Sequence, residues 1–316
     1  ANSKLRWEKA GVLNFGLDTK FAKGKIKATI EYYIKNSIDL IAGSPIDPTT
    51  GLRLMRLNVV SIKVNGLDMK LDAFILNRAF SWKSQVLFSY LKNKVTKYYR
   101  SPTTNNSTFI KFSYTVIPRE GADPYSIVSY KYAGLDNLGD PIGYRNGLPS
   151  KDYTNIVRTP SWDDLVIHGT TRPPVFGSVI NTFSYKGFSL TASIQYKFGY
   201  YFRRNVINYT RLYNSWIGHR DFYKRWQQQG DEFITDVPAM NYPANNRRDD
   251  FYGNSSASVS KGDNIRLADI SLSYNFSGKN RPSPLLKNAE IYLFINNAGI
   301  LWRANKYGLD PDYGIS

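Results

Sequence analysis

His168 and His219 are the only imidazoles in a chain of 316 residues that has no cysteine. A thiol nucleophile, a cysteine-built metal centre and a disulfide framework are therefore excluded. A serine hydrolase needs a base within hydrogen-bond reach of its nucleophile and a third group to orient that base. No nucleophile motif lies near either histidine in the sequence, so the chain reads as non-enzymatic. Asp136, Asn137 and Asp140 echo the start of a calcium loop, but the later ligands and the distal glutamate are missing. With Gly139 and Pro141 among them, an ordinary turn accounts for these residues. Asp310 and Asp312, in GLDPD, fit equally well as carboxylates that cap a loop. No metal or cofactor is expected.

What remains is binding chemistry. Tyr209, Tyr213, Trp216, His219, Arg220, Arg225 and Trp226 fall in one aperiodic stretch, Arg203 to Gly262. Aromatic faces stack on sugars and peptide side chains, and arginine pairs with acids or carbonyls. The same residues would also serve to fold the loop on itself or to meet a partner protein.

The elements that must position this loop are strands. From Phe188 to Phe198, Phe, Leu, Ala, Ile, Tyr and Phe alternate without a break against Ser, Thr, Ser, Gln and Lys. That period of two gives one apolar and one polar face. Val179, Phe183 and Tyr185 repeat the pattern before Lys186-Gly187, a two-residue connection suited to a hairpin. A tilted strand of about 9–11 residues crosses a bilayer, and Phe198, Tyr200, Tyr201 and Phe202 come where an interfacial girdle would lie. Similar alternation marks strands over Gly11–Lys20, Lys25–Leu40, Leu67–Ile75 and Phe80–Tyr90, joined by short turns at Phe21–Gly24 and Asn77-Arg78. Ala42–Leu57 reads as a loop, and a long polar loop begins near Asn93. Ser126–Gly147 reads as a short hairpin around Leu135–Asp140. In Lys261–Phe276 the phase slips near Ala268-Asp269, which a β-bulge would reconcile. Ala289–Leu301 is apolar on both faces. Inward-facing Lys25, Lys27, Glu31, Asp68, Lys70 and Asp72 would line a watery lumen.

Connections alternate short and long along the chain, as in outer-membrane barrels with short periplasmic turns and longer outer loops. Parity then makes the first strand descend and Ala289–Leu301 ascend, so one more descending strand is expected beyond Ser316. No run of about 18 apolar residues exists, so no transmembrane helix is expected, and no basic-then-apolar leader opens the chain. Lys and Arg outnumber Asp and Glu by 42 to 25, a net charge of +17. The basic residues are spread over strands and loops without a nucleic-acid motif, which favours lipid phosphates over nucleic acid as their counterpart.

Five stretches carry a resemblance: Leu5–Asp18, Tyr132–Pro141, Pro173–Arg204, Lys261–Phe276 and Asn296–Asp312. Together they resemble the C-terminal part of SusC/RagA-type TonB-dependent outer-membrane transporters. The resemblance implies an all-β, partial transmembrane antiparallel β-barrel, about ten strands of a 22-stranded whole, occupying 1–316 as one incomplete domain without its plug. It also implies import of oligosaccharides or peptides beneath a SusD-like surface lipoprotein. The remaining strands and plug, on the same or another chain, would be partners, as would TonB through the absent plug segment, and outer-membrane lipid. Two other readings compete: an outer-membrane barrel hydrolase dependent on His168 or His219, and a soluble all-β protein that binds glycans or peptides.

Overall fold

Alternating side chains commit these segments to pleated strands, and each strand must then find neighbours for its backbone N–H and C=O groups. The computed structural model, which describes residues 5–45, 49, 54–99, 105–111, 119–276 and 289–313, shows how. Strands β1 (Lys9–Phe21), β2 (Ile26–Pro45), β3 (Leu54–Asn77) and β4 (Phe80–Tyr98) form a meander. After it come four short strands, β5 (Ser126–Tyr130), β6 (Gly143–Arg145), β7 (Leu148–Ser150) and β8 (Leu165–Thr170). The hairpin β9 (Val175–Tyr185) and β10 (Phe188–Phe198) follows, then the short β11 (Tyr201–Arg203) and β12 (Val259–Lys261). Strands β13 (Asn264–Asn275) and β14 (Glu290–Arg303) close the sequence of elements.

Eight of these make one antiparallel sheet in the order β1-β2-β3-β4-β9-β10-β13-β14. No pairing joins β14 to β1 among the described residues, so the sheet is an open sector of a barrel wall. The expected hairpin at 126–147 does not enter it, which leaves eight wall strands where about ten were expected. Instead β5 pairs with β8, and β6 with β7; Leu135 and Pro141 meet only in an isolated bridge. At Lys186-Gly187 both residues have positive φ (46° and 88°), the geometry of a tight hairpin turn whose twist matches its strands. The bulge anticipated from the phase slip is present: Ser193 pairs with Asp269 and Ile194 with Leu267, leaving Ala268 extra.

Register sorts the faces. Phe15, Tyr32, Leu67, Tyr90, Val175 and Phe198 fall in one row on the apolar face. At the short-turn end, Phe80, Tyr185, Phe188 and Tyr274 form another, with the Phe188 and Tyr274 rings 4.4 Å apart. From Phe188 to Phe198 is about 33 Å of strand, or about 25 Å of height at the usual tilt, the depth of a hydrocarbon band between aromatic girdles. Gly177 is required on this face by close approach. A Cβ there would lie 2.1 Å from the Leu87 carbonyl oxygen, and the Tyr196 ring crosses the gap to donate its hydroxyl to that oxygen at 2.9 Å. The opposite face carries Asp18, Thr29, Asp72 and Gln85, linked by Thr29 to Asp18 (2.6 Å) and Gln85 to Asp72 (2.7 Å).

β2, β3 and β4 run 20, 24 and 19 residues, well past the apolar band. Pairing of Ala42 with Leu57 and Pro45 with Leu54 converts much of the expected loop at 42–57 into ladder, and β4 likewise runs on beyond Asn93. There Val59, Val60 and Val95 are buried with Leu40, Ala42, Leu57, Ile62 and Tyr98 packed against them, and register shifts near Leu40 and Ile62 break the alternation while the hydrogen bonds continue.

At the long-connection end, the segment between β4 and β9 and the segment between β10 and β13 pack as one unit. Its first core holds Phe109, Ile110, Val128, Tyr130, Tyr153, Ile156, Val157, Leu165 and Phe251. Phe251 comes from the second segment, from helix Asn246–Gly253, and is fully buried among residues of the first. The smaller core holds Ile207, Tyr209, Val237 and Tyr252. Buried arginines bolt the two together: Arg203 donates to the Val128 carbonyl (2.8 Å) and Arg248 to Asp140 (2.9 Å) and the Ala239 carbonyl (2.9 Å).

Candidate functional site

The second segment turns sharply twice, and the turns open a cavity. Helix Tyr209–Ser215 begins on Asn208, whose side chain accepts from Arg211 N, and ends at Trp216 in the left-handed conformation. A 3-10 turn, Arg220–Lys224, starts on His219, whose Nδ1 accepts the Asp221 N–H at 3.1 Å. Between these turns and Met240 and Tyr242 lies a cavity of about 790 Å³, walled mainly by aromatic side chains. The Tyr213 and Tyr242 rings meet edge to face at 5.3 Å. The Tyr213 hydroxyl is buried and finds no hydrogen-bond partner among the described residues. Trp216 is 90% exposed at the rim, and Arg220 donates to the Tyr307 carbonyl at 3.0 Å.

Electrostatics hold the floor. Arg204 and Asp221 form a buried ion pair at 2.9 Å, and the Arg204 guanidinium stacks on Tyr307 at 4.1 Å. Burial lowers the His219 pKa, with Arg204 and Arg220 adding to the effect and Asp221 opposing it. A neutral ring is also what its role as acceptor from Asp221 N requires.

Of the residues singled out in the sequence, Tyr213, Trp216, His219 and Arg220 come together on this cavity. The other three sit in the frame around it. Tyr209 is in the core and donates to the Pro238 carbonyl at 2.6 Å. Arg225 stacks on Phe222 at 4.0 Å. Trp226 donates to Glu232 at 2.9 Å. Leu212, Phe222, Tyr223, Met240 and Tyr242 also line the cavity; without a period through 203–262, nothing in the sequence separates lining from framing residues.

Ser129 Oγ lies 2.7 Å from His168 Nε2, a contact between β5 and β8 that no local motif announces. Ser129 is fully buried, and no carboxylate orients the imidazole among the described residues, so the pair lacks both access and a third member. Asp136 accepts from Leu138 N and Asp140 N, and Lys151 bridges Asp136 and Asp140. This is a turn closed by an ion pair. Asp310 and Asp312 do more than cap their loop. Asp310 takes Arg266 in two contacts of 2.6 and 2.7 Å, and Asp312 takes Lys197 at 2.8 Å, which ties the segment after β14 to β10 and β13.

The chain is similar over its whole length to part of larger proteins. It is 25% identical to TonB-dependent receptor P26 of Formosa agariphila, across 99% of this chain and 32% of that receptor. TonB-dependent receptor SusC of Bacteroides thetaiotaomicron is 30% identical over 98 residues, 30% of this chain and 10% of that one. A solved structure described as the RagAB peptide transporter superposes with a TM-score of 0.73 at 22% identity, over 99% of this chain and 33% of that one. No family model matches. The chain spans about a third of the length of the curated relatives it matches. The resemblance implied by the five sequence stretches is thus what the comparisons return: a SusC-like sector of outer-membrane barrel wall, related to receptors rather than to enzymes.

Proposed function

We propose that this outer-membrane sector serves nutrient uptake by a TonB-dependent importer, in which the fused segments at 99–174 and 199–263 lie on the cell surface and take part in capturing the substrate. The observation that carries the reading is the aromatic cavity beside a Tyr213 hydroxyl that has no partner among the described residues. Its walls offer stacking faces, and polar groups such as Asn214, Arg220 and the Tyr213 hydroxyl offer hydrogen bonds, the mix that holds an oligosaccharide or a peptide. The peptide assignment draws on the RagAB structure and the oligosaccharide assignment on the aromatic lining. A SusD-like lipoprotein closing over the same surface, and TonB acting through a plug inside the completed barrel, belong to this proposal.

Trp216→Ala combined with Tyr242→Ala tests it in the polypeptide that contains this chain. Both side chains are more than 80% exposed, so folding should be unaffected, while affinity for a transported oligosaccharide or peptide should fall about tenfold or more. Calorimetry on the purified protein, paired with uptake by whole cells, reads the result. Unchanged affinity with both rings gone would remove the cavity from the capture site.

A further inference from the structure

On the apolar face of the sheet, above the aromatic row, the register sets lysine against lysine. Lys63 of β3 pairs directly with Lys94 of β4, and Lys92 sits two residues below, opposite Asn65. Register is unbroken from there down to Leu67 and Tyr90, so these side chains share the face of Leu67, Met69, Val86 and Phe88. Asn36 of β2 completes the row beside Lys63. All three lysines are exposed, and none forms an ion pair among the described residues. Like charges directly opposite on one face oppose the pairing of their strands. An anion from outside the chain would remove the repulsion.

Position says which anion. Lys92 lies about 7 Å along the strand from Tyr90, and Lys94 about 13 Å, or about 5 and 10 Å of height at the usual tilt. The headgroup layer occupies the few ångströms immediately outside the hydrocarbon core, and lysine stems reach along apolar surface to place their charge there. From this we infer that Lys63, Lys92 and Lys94, with Asn36 and Asn65, form a docking site for a phosphorylated lipid headgroup of the outer leaflet. Lipid chains lie against Leu67, Phe88 and Tyr90 while the phosphate sits between the β3 and β4 lysines. The leaflet rests on the proposed orientation of the long connections, whereas binding in detergent solution does not depend on it.

The polypeptide containing this chain, purified in neutral detergent, is titrated with diphosphoryl lipid A and separately with inorganic phosphate, and retained lipid is counted by native mass spectrometry. Lys63→Gln with Lys94→Gln is compared with wild type and with Arg78→Gln, a control in the turn at the far end. Each lysine near an anionic lipid surface contributes about a fivefold change in affinity, so the double variant should bind lipid A about 25-fold more weakly, and the control should match wild type. In detergent free of phosphate, the double variant should melt at the same temperature as wild type or higher, because the repelling pair is gone. Equal lipid A retention by wild type and double variant overturns the site. So does stabilisation by inorganic phosphate as large as that by lipid A at equal phosphate concentration, since the apolar rows below would then contribute nothing.

Discussion

At the scale of single residues, the long-connection unit is built around polar groups with fixed protonation. His168 is the clearest case: burial, with Arg203 adding, pushes its pKa down to about 4. Between the ordinary imidazole pKa of about 6.5 and that value, the unfolded chain takes up a proton that the folded one refuses. Stability is therefore fully present above this window and falls as pH drops through it, by up to about 3 kcal/mol. Protection factors of the β5 and β8 amides, that is exchange rates taken relative to the intrinsic rate at each pH, should fall as pH drops from about 7 to about 4.5, and His168→Gln, which keeps a polar atom facing Ser129, should flatten the profile. A wild-type profile that is already flat would contradict the assignment. The sequence did not disclose the contact of His168 with Ser129, because two strands bring together residues 39 apart. It did disclose the cavity's chemistry, since aromatic and arginine residues were concentrated in one aperiodic stretch. Which of them turned inward depended on two turns that composition does not encode.

Among elements, the strand β10 was legible because a membrane imposes the strictest version of the period-two rule. Water on one face and hydrocarbon on the other leave no choice at each position, so Phe188 to Phe198 could be assigned residue by residue, and the bulge at Ala268 followed from a single change of phase. The upper halves of β2, β3 and β4 were illegible for the converse reason: adjacent residues Val59 and Val60 are both buried and the register shifts near Leu40 and Ile62, so no period of two runs through them. Ile194, near the middle of the apolar band, gives this a test. Ile194→Arg should cost about 2–4 kcal/mol of folding free energy in a bilayer, and Thr191→Arg, on the polar face opposite Ser271 and Thr182, little. Urea titrations of both variants in vesicles decide it; equal costs would mean the faces are reversed.

For the whole molecule, orientation follows from which end carries the long connections. Chymotrypsin cleaves after aromatic residues, and the chain offers it matched targets at opposite ends. Phe233 is 87% exposed in the long-connection unit, whereas Tyr185 and Phe188 are about half exposed beside the short turn. On intact cells, cleavage should occur after Phe233 and spare Tyr185 and Phe188. Cleavage only at Tyr185 or Phe188 on intact cells would invert the topology and take the surface cavity with it.

The placement of Phe251 bears on inheritance as well as on stability. This side chain belongs to the segment after β10, yet the cluster that receives it, Tyr130, Tyr153, Ile156 and their neighbours, belongs to the segment before β9. Between donor and recipient in the gene lies the β9–β10 hairpin, whose regular alternation makes it an attractive splice point for chimeras. A crossover there joins one parent's ring to the other parent's socket. Recombinants exchanging specificity between such receptors will therefore survive when both long segments travel together, and the hairpin will move with them as a passenger.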